Sequence, residues 1–254
     1  TLTLRFRIQS ECEINGCHLA LEDADSTTIV INDQPVNMKT DGWYVDKAIQ
    51  TIPLPNLVPG ENILLITVPI GRRTNLEYMY LLGDFGVRIM GTKKILINPI
   101  QKLGFSDIVP QGLPFYTGNL LYHFKIQTEG DFDLRIPRYR GGLTKVFLDG
   151  NEIGNLAFSP YRMHVPCEPG VHDLTIRLYG TRQNGFAQLH HTPGVYFYQS
   201  PNSWRSAGDL WCYEYQFKPA GILTSPELYG ATYILEDSGT RLAVDYQEHM
   251  TDRS

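Results

Sequence analysis

Two stretches of this chain repeat one pattern of turns and strands, and that repetition limits the fold more than any other feature. From Asn56 the sequence reads N-L-V-P-G-E-N-I-L-L-I-T-V-P-I-G-R-R-T-N, and from Cys167 it reads C-E-P-G-V-H-D-L-T-I-R-L-Y-G-T-R-Q-N. Each opens on a Pro-Gly turn, continues as an alternating strand to a glycine, steps to an asparagine and reaches a Gly-Val pair. Pro59-Gly60 corresponds to Pro169-Gly170, Gly71 to Gly180, Asn75 to Asn184 and Gly86-Val87 to Gly194-Val195, with every spacing matched to within one residue. Upstream, T-I-V-I-N-D-Q-P-V from Thr28 answers to K-V-F-L-D-G-N-E-I from Lys145. Both are apolar strands interrupted by a polar pair. Asp149-Gly150 is a strong hairpin signal, because a two-residue type I′ turn needs positive φ at both central positions. Asn32-Asp33 is a weaker form of the same turn, built from residues that tolerate left-handed backbone.

A duplicated strand pattern predicts two similar domains. The first spans residues 1–97, a connector runs over 98–117, the second domain covers 118–220, and 221–254 is a tail of extra strands or a partial further module. Period-two alternation marks the strands, with one face buried and one wet. In domain two the expected strands include N-L-L-Y-H-F-K-I, D-F-D-L-R-I, V-Y-F-Y and W-C-Y-E-Y-Q-F. The connector's Leu103, Phe105, Leu113, Phe115 and Tyr116 predict that it packs on a domain. No long segment shows helical periodicity, so the fold class is all-β, two tandem β-sandwiches of jelly-roll, galactose-binding-like type.

Net charge is −5, which argues against nucleic-acid or anionic-membrane partners. The longest apolar run, from Ile63 to Ile70, is far too short to span a bilayer. The chain opens on Thr1 in a strand pattern, without a basic, apolar leader, and reads as a piece of something longer or a processed product. No N-glycosylation sequon occurs, which favours a bacterial cytoplasmic setting over a secreted one. The four cysteines, Cys12, Cys17, Cys167 and Cys212, lack paired C-x-x-C spacing. They read as buried thiols, with a disulfide or a metal as the alternatives.

The order of apolar strand, N/D-G turn, short strand, aromatic-rich loop and P-G-x-N/H-x-L-x-I-x-V resembles the sugar-binding, jelly-roll domain of family 2 glycoside hydrolases. Both halves carry it. D-G-W-Y-V-D from Asp41, R-T-N-L-E-Y-M-Y-L-L-G-D-F-G-V from Arg73 and Q-G-L-P-F-Y-T-G-N-L from Gln111 resemble the C-terminal region of α-L-rhamnosidase-like bacterial glycosidases. R-I-P-R-Y-R-G from Arg135 and S-W-R-S-A-G-D-L-W from Ser203 belong with them. Domain one departs from the hairpin motif, with Asn-Asp where Asn-Gly is usual. The resemblance implies a non-catalytic carbohydrate-binding or scaffolding region of a bacterial glycoside hydrolase. The catalytic acid and base would sit on a separate barrel, so the implied partners are carbohydrate and the catalytic domain of a parent chain, with no cofactor. A β-sandwich hosts unrelated functions, so the residues must carry the rest.

Sugars are held by flat rings under C–H faces and by forked donors reaching paired hydroxyls. In domain one, Trp43 and Tyr44 sit between strands beside Asp41 and Asp46, and Trp43 can equally lid the core. Arg72, Arg73, Asn75 and Glu77 follow the Pro-Gly strand. In domain two, the candidates are Arg138, Tyr139, Arg140, Tyr161, Arg162, Arg182, Asn184, Trp204 and Arg205, with His190 and His191 nearby. Sandwich loops gather at the ends, so these predict one shallow Arg/aromatic cleft preferring an acidic or vicinal-diol sugar. The equivalence of Arg72/Arg73 with Arg182 fits either paired ligand sites or a shared role in tying the loop. The alternative function is a small β-sandwich enzyme in which Glu77 and Asp84 form a carboxylate pair, since glycoside hydrolysis uses two carboxyl groups roughly 5–10 Å apart. No motif that activates a nucleophile accompanies them. His190-His191 with Cys167 or Cys212, and Glu22 with Asp23 and Asp25, are the weak metal candidates, and no metal site is assigned.

Overall fold

The computed structural model describes residues 1–72, 74, 76–192 and 207–234. The chain is all-β and divides into two compact units, which among the described residues are Thr1–Pro99 and Ile100–Ile234. No helix among the described residues is long and apolar enough to cross a membrane.

The first unit contains β1 (Leu2–Ser10), β2 (His18–Leu21), β3 (Thr28–Ile31), β4 (Gln34–Pro35), β5 (Gly42–Tyr44), β6 (Asp46–Pro53), β7 (Gly60–Val68), β8 (Tyr80–Leu82), β9 (Gly86–Met90) and β10 (Lys93–Ile97). They form a six-stranded sheet in the order β4-β3-β7-β1-β10-β9 and a four-stranded sheet in the order β5-β6-β2-β8. Alternation decides which side chains go inward. Along β7, Asn62, Leu64, Ile66 and Val68 are buried, and the three apolar ones join Leu19, Leu21 and Ile52 of the other sheet in one core.

The second unit contains β11 (Leu120–Arg135), β12 (Tyr139–Arg140), β13 (Leu143–Leu148), β14 (Asn151–Leu156), β15 (Arg162–Val165), β16 (Gly170–Tyr179), β17 (Gly221–Ile222) and β18 (Glu227–Ile234). Its main sheet runs β14-β13-β16-β11-β15, β18 lies along β11, and β12 pairs with β17. The order β14-β13-β16-β11 reproduces β4-β3-β7-β1 of the first unit. Gly60 stands opposite Ser10, and Gly170 stands opposite Thr128. Both glycines have positive φ, 103° and 151°. Ser10 and Thr128 are both buried, and each hydroxyl donates to the carbonyl two residues on, of Cys12 and of Gly130. Both hairpin turns are left-handed at both central residues, Asn32-Asp33 as well as Asp149-Gly150.

As expected, residues assigned to the connector pack on a domain: Leu103, Ile108 and Leu113 enter the core of the second unit. The structure differs from the sequence reading in two places. N-L-L-Y-H-F-K-I and D-F-D-L-R-I are not two strands but one, β11, which changes register against β18 between Thr128 and Asp133. Gly130 and Gly230 supply the positive φ at that irregularity, 149° and 97°. Finally, W-C-Y-E-Y-Q-F is not a strand. Its backbone bonds, Cys212 N–H to His190 O and Gln216 N–H to Leu189 O, go to an irregular segment, so no ladder propagates. Its Tyr215 and Phe217 rings pack on Phe115 instead. The expected strand V-Y-F-Y, and Asn75 and Gly194-Val195 of the repeat, lie outside the described residues.

Candidate functional site

The end of β16 and the loops around it enclose a shallow depression in the second unit. Tyr116, Gly118, Arg140, Gly180, Thr181, Gln183, Asn184 and Lys218 are among the residues lining it. Its free volume is about 30 Å³, the space of one water molecule or one polar substituent.

Each wall has a local cause. β12 pairs with β17 and alternates, so Tyr139 turns inward and Arg140 outward. Gly180 lies so near Gly118 that a Cβ would come 2.2 Å from the Gly118 carbonyl oxygen, and only glycine allows that approach. The Asn119 side chain accepts from Gly180 N–H at 3.3 Å, and the Tyr116 hydroxyl donates to Asn119 O at 2.8 Å. After Gly180, a helical turn over Gln183–Phe186 buries Asn184. The Asn184 amide then clasps the Lys218 backbone, Nδ2 donating to the carbonyl at 2.8 Å and Oδ1 accepting from the N–H at 2.9 Å.

The electrostatics are positive. Among the described residues, Arg140 and Lys218 are the charged residues of the lining, with no Asp or Glu beside them. Among the described residues Arg140 has no carboxylate partner; its Nη1 donates only a long bond, 3.4 Å, to the Tyr139 carbonyl. A guanidinium with free donors beside a one-substituent cavity can accept a carboxylate or a pair of hydroxyls.

The other sequence candidates of this unit are placed as follows. Tyr139 is buried, with its ring 5.0 Å from that of Tyr161 and its hydroxyl donating to Leu156 O at 2.9 Å. Arg162 is held by Asp133 at 2.7 Å and lies over the Tyr229 ring, 5.2 Å from its centre. That bond, with His164 adding a second, holds the Asp133 carboxyl below the usual carboxylate range. Arg138 is exposed and its carbonyl accepts from Leu223 N–H. Arg182 is exposed and its carbonyl accepts from Phe186 N–H, closing the helical turn. Of the predicted set, then, Arg140 and Asn184 share one depression, flanked by Arg182, while Arg162 is engaged elsewhere. Trp204 and Arg205 lie outside the described residues. Tyr116, Thr181, Gln183 and Lys218 were missed, since no motif marks them; only the repeated glycine and asparagine pointed to this loop.

In the first unit, Trp43 is 36% exposed, and the Tyr44 ring tilts against Tyr80 at 5.4 Å. Burial, with Tyr44 next in effect, pushes the Tyr80 hydroxyl up to about 12. Asp41 links His18 Nε2 at 2.8 Å to the Thr51 hydroxyl at 2.7 Å. Glu77 and Asp84 are both exposed and lie on either side of β8. Arg72 is exposed, and Arg73 lies outside the described residues. Among the described residues no group of three or more His, Cys, Asp or Glu could hold a metal ion. His190 instead stacks on Trp211 at 4.5 Å. All four cysteines are free, and burial pushes the Cys17 thiol up to about 11.

No protein-family model and no curated protein matches the chain. Among solved structures it is similar to a rhamnosidase from Novosphingobium sp. PP1Y, at 15% identity and a TM-score of 0.33 over 89% of this chain. The chain spans only 22% of that enzyme's length. It is also similar to the Pleurotus ostreatus lectin without ligand, at 9% identity and a TM-score of 0.23, covering 70% of this chain and 67% of the lectin. The same lectin in complex with GalNAc matches at 10% identity and a TM-score of 0.24, covering 70% and 68%.

Proposed function

We propose that this chain is a non-catalytic carbohydrate-binding or scaffolding region of a bacterial glycoside hydrolase, with binding centred on Arg140. The observation that supports this reading is the Arg140 guanidinium, without a carboxylate partner among the described residues, at the edge of a depression whose polar lining is Lys218, Gln183, Asn184, Tyr116 and Thr181. Glycosidic cleavage canonically needs two carboxyl groups, whereas holding a sugar needs only forked donors and a shaped surface. The small cavity takes one substituent, a uronate carboxylate or a hydroxyl, while the ring rests on the rim. A catalytic domain of the parent chain would act on sugars delivered across this face.

Calorimetric titration with a galacturonate oligomer and its neutral galactose counterpart tests the reading. The acidic oligomer is expected to bind with a dissociation constant of roughly micromolar to millimolar, because few contacts must offset the ordering cost. Arg140→Ala should abolish that binding and Arg140→Lys should keep part of it, since an ammonium retains charge but not the fork. Equal binding by wild type and Arg140→Ala would overturn the site. Hydrolysis of either oligomer by the chain would overturn the non-catalytic reading.

A further inference from the structure

Each unit ties its left-handed hairpin to the turn that opens its long central strand, and the two ties share one wiring diagram in different chemistry. In the first unit, Asn32 N–H donates to Ile63 O at 2.9 Å and Asn32 Oδ1 accepts from Ile63 N–H at 2.9 Å. Asn32 Nδ2 donates to Asn62 Oδ1 at 2.9 Å, and Asn62 Nδ2 donates to Val58 O at 2.8 Å. In the second unit, Asp149 N–H donates to Asp173 O at 2.8 Å and Asp149 Oδ1 accepts from Asp173 N–H at 2.8 Å. Asp149 Oδ2 lies 2.7 Å from His172 Nδ1, and His172 Nε2 lies 2.8 Å from Glu168 O. Asp149 stands where Asn32 does and His172 where Asn62 does.

The chemistry differs in one decisive respect. The amide pair is neutral, and its donors and acceptors match at every pH. In the second unit both ring nitrogens face oxygens that cannot donate, a carboxylate and a backbone carbonyl. Only an imidazolium, with a proton on each nitrogen, makes both bonds. A neutral ring must turn a lone pair toward one of those oxygens. From this geometry we infer that the second unit carries a proton-dependent latch, closed while His172 is imidazolium and opened by its deprotonation, and that the first unit carries a pH-insensitive copy.

The surroundings agree. The His172 side chain is 15% exposed and its cross-strand neighbour on β11 is Ile126. Charged side chains on the surrounding elements are Asp149 in the hairpin turn, Glu168 in the loop before β16, Asp173 on β16 and Lys125 opposite Asp173 on β11. Cys167 adds a thiol, which burial raises. The Asp149 bond, then the Glu168 carbonyl, hold the imidazole above the ordinary histidine range. The His172 bond, then Asp173 N–H, hold Asp149 below the usual carboxylate range. A group raised on folding contributes fully below its unfolded value and loses that contribution as pH rises through its folded value. The latch is therefore closed at mildly acidic pH and opens as pH rises past the raised histidine value. At the acid end it fails only as pH falls through the depressed Asp149 value. This inference rests on the latch geometry alone and stands apart from the sugar site.

Nuclear magnetic resonance of the full chain tests it. Imidazole ¹⁵N shifts followed from pH 5 to 9 should show His172 doubly protonated and titrating above the free-histidine value of about 6.5. Native-state hydrogen exchange then compares Leu174 and Ile176 of β16 with Leu64 and Ile66 of β7, as an internal control. Protection of the β16 amides, corrected for intrinsic rates, should fall roughly tenfold across the titration while the β7 amides hold, the scale of one charge-assisted bond. The double variant Asp149→Asn/His172→Asn, which transplants the amide pair, should remove that pH dependence. A neutral His172 ring at pH 6, or β16 and β7 protection changing in parallel, would overturn the latch.

Discussion

The Asn184 carboxamide holds both the N–H and the carbonyl of Lys218, at 2.9 and 2.8 Å. That clasp joins the helical turn after β16 to the segment leading into β17, and it fixes one wall of the candidate site. Asn184→Ala leaves two backbone groups without their partner, at a position where the side chain is buried. Because Lys218 is exposed, water recovers part of the loss. Thermal unfolding should show the second unit destabilised by about 1–2 kcal/mol. Affinity for an acidic oligomer should weaken, since the wall bearing Lys218 is no longer fixed.

A second buried polar tie holds β17 itself. The Tyr122 hydroxyl accepts from Ile222 N–H at 2.9 Å, and both residues are fully buried. Burial pushes that hydroxyl up to about 12. Tyr122→Phe keeps the ring and strands the amide, so it should cost about 1–3 kcal/mol in chemical denaturation. The first unit's unfolding should be unchanged.

How far these features were legible in the sequence follows from how local their causes are. The hairpins at Asn32-Asp33 and Asp149-Gly150 are set by backbone preferences of the residues themselves, and both were readable. Strands β7 and β16 were readable too, because period-two alternation and a Pro-Gly start are local signals. The continuous β11 was not, since it runs through a register shift against β18, a strand far along the chain. The segment 211–217 alternates like a strand, but strand formation needs a partner edge, and the neighbouring 189–192 is irregular. At the site, Arg140 and Asn184 were picked out by residue type and by the repeat. Tyr116 and Lys218 were not, because only the folded chain brings them together.

Arg162 illustrates the same limit. Its residue type fits sugar recognition, yet its guanidinium is engaged by Asp133 and stacked over Tyr229. Arg162→Ala is expected to leave affinity for the acidic oligomer unchanged in the titration that Arg140→Ala abolishes. Equal losses from both substitutions would mean that the two arginines act on one ligand.

Sugar binding at the Arg140 depression can be followed through backbone amide shifts during titration with an acidic oligosaccharide. Saturable shifts are expected, confined to the amides of Arg140, Gly180, Thr181, Gln183 and Lys218, which line the depression. Shifts centred instead on Trp43 and Tyr44, or no shifts at millimolar sugar, would contradict it.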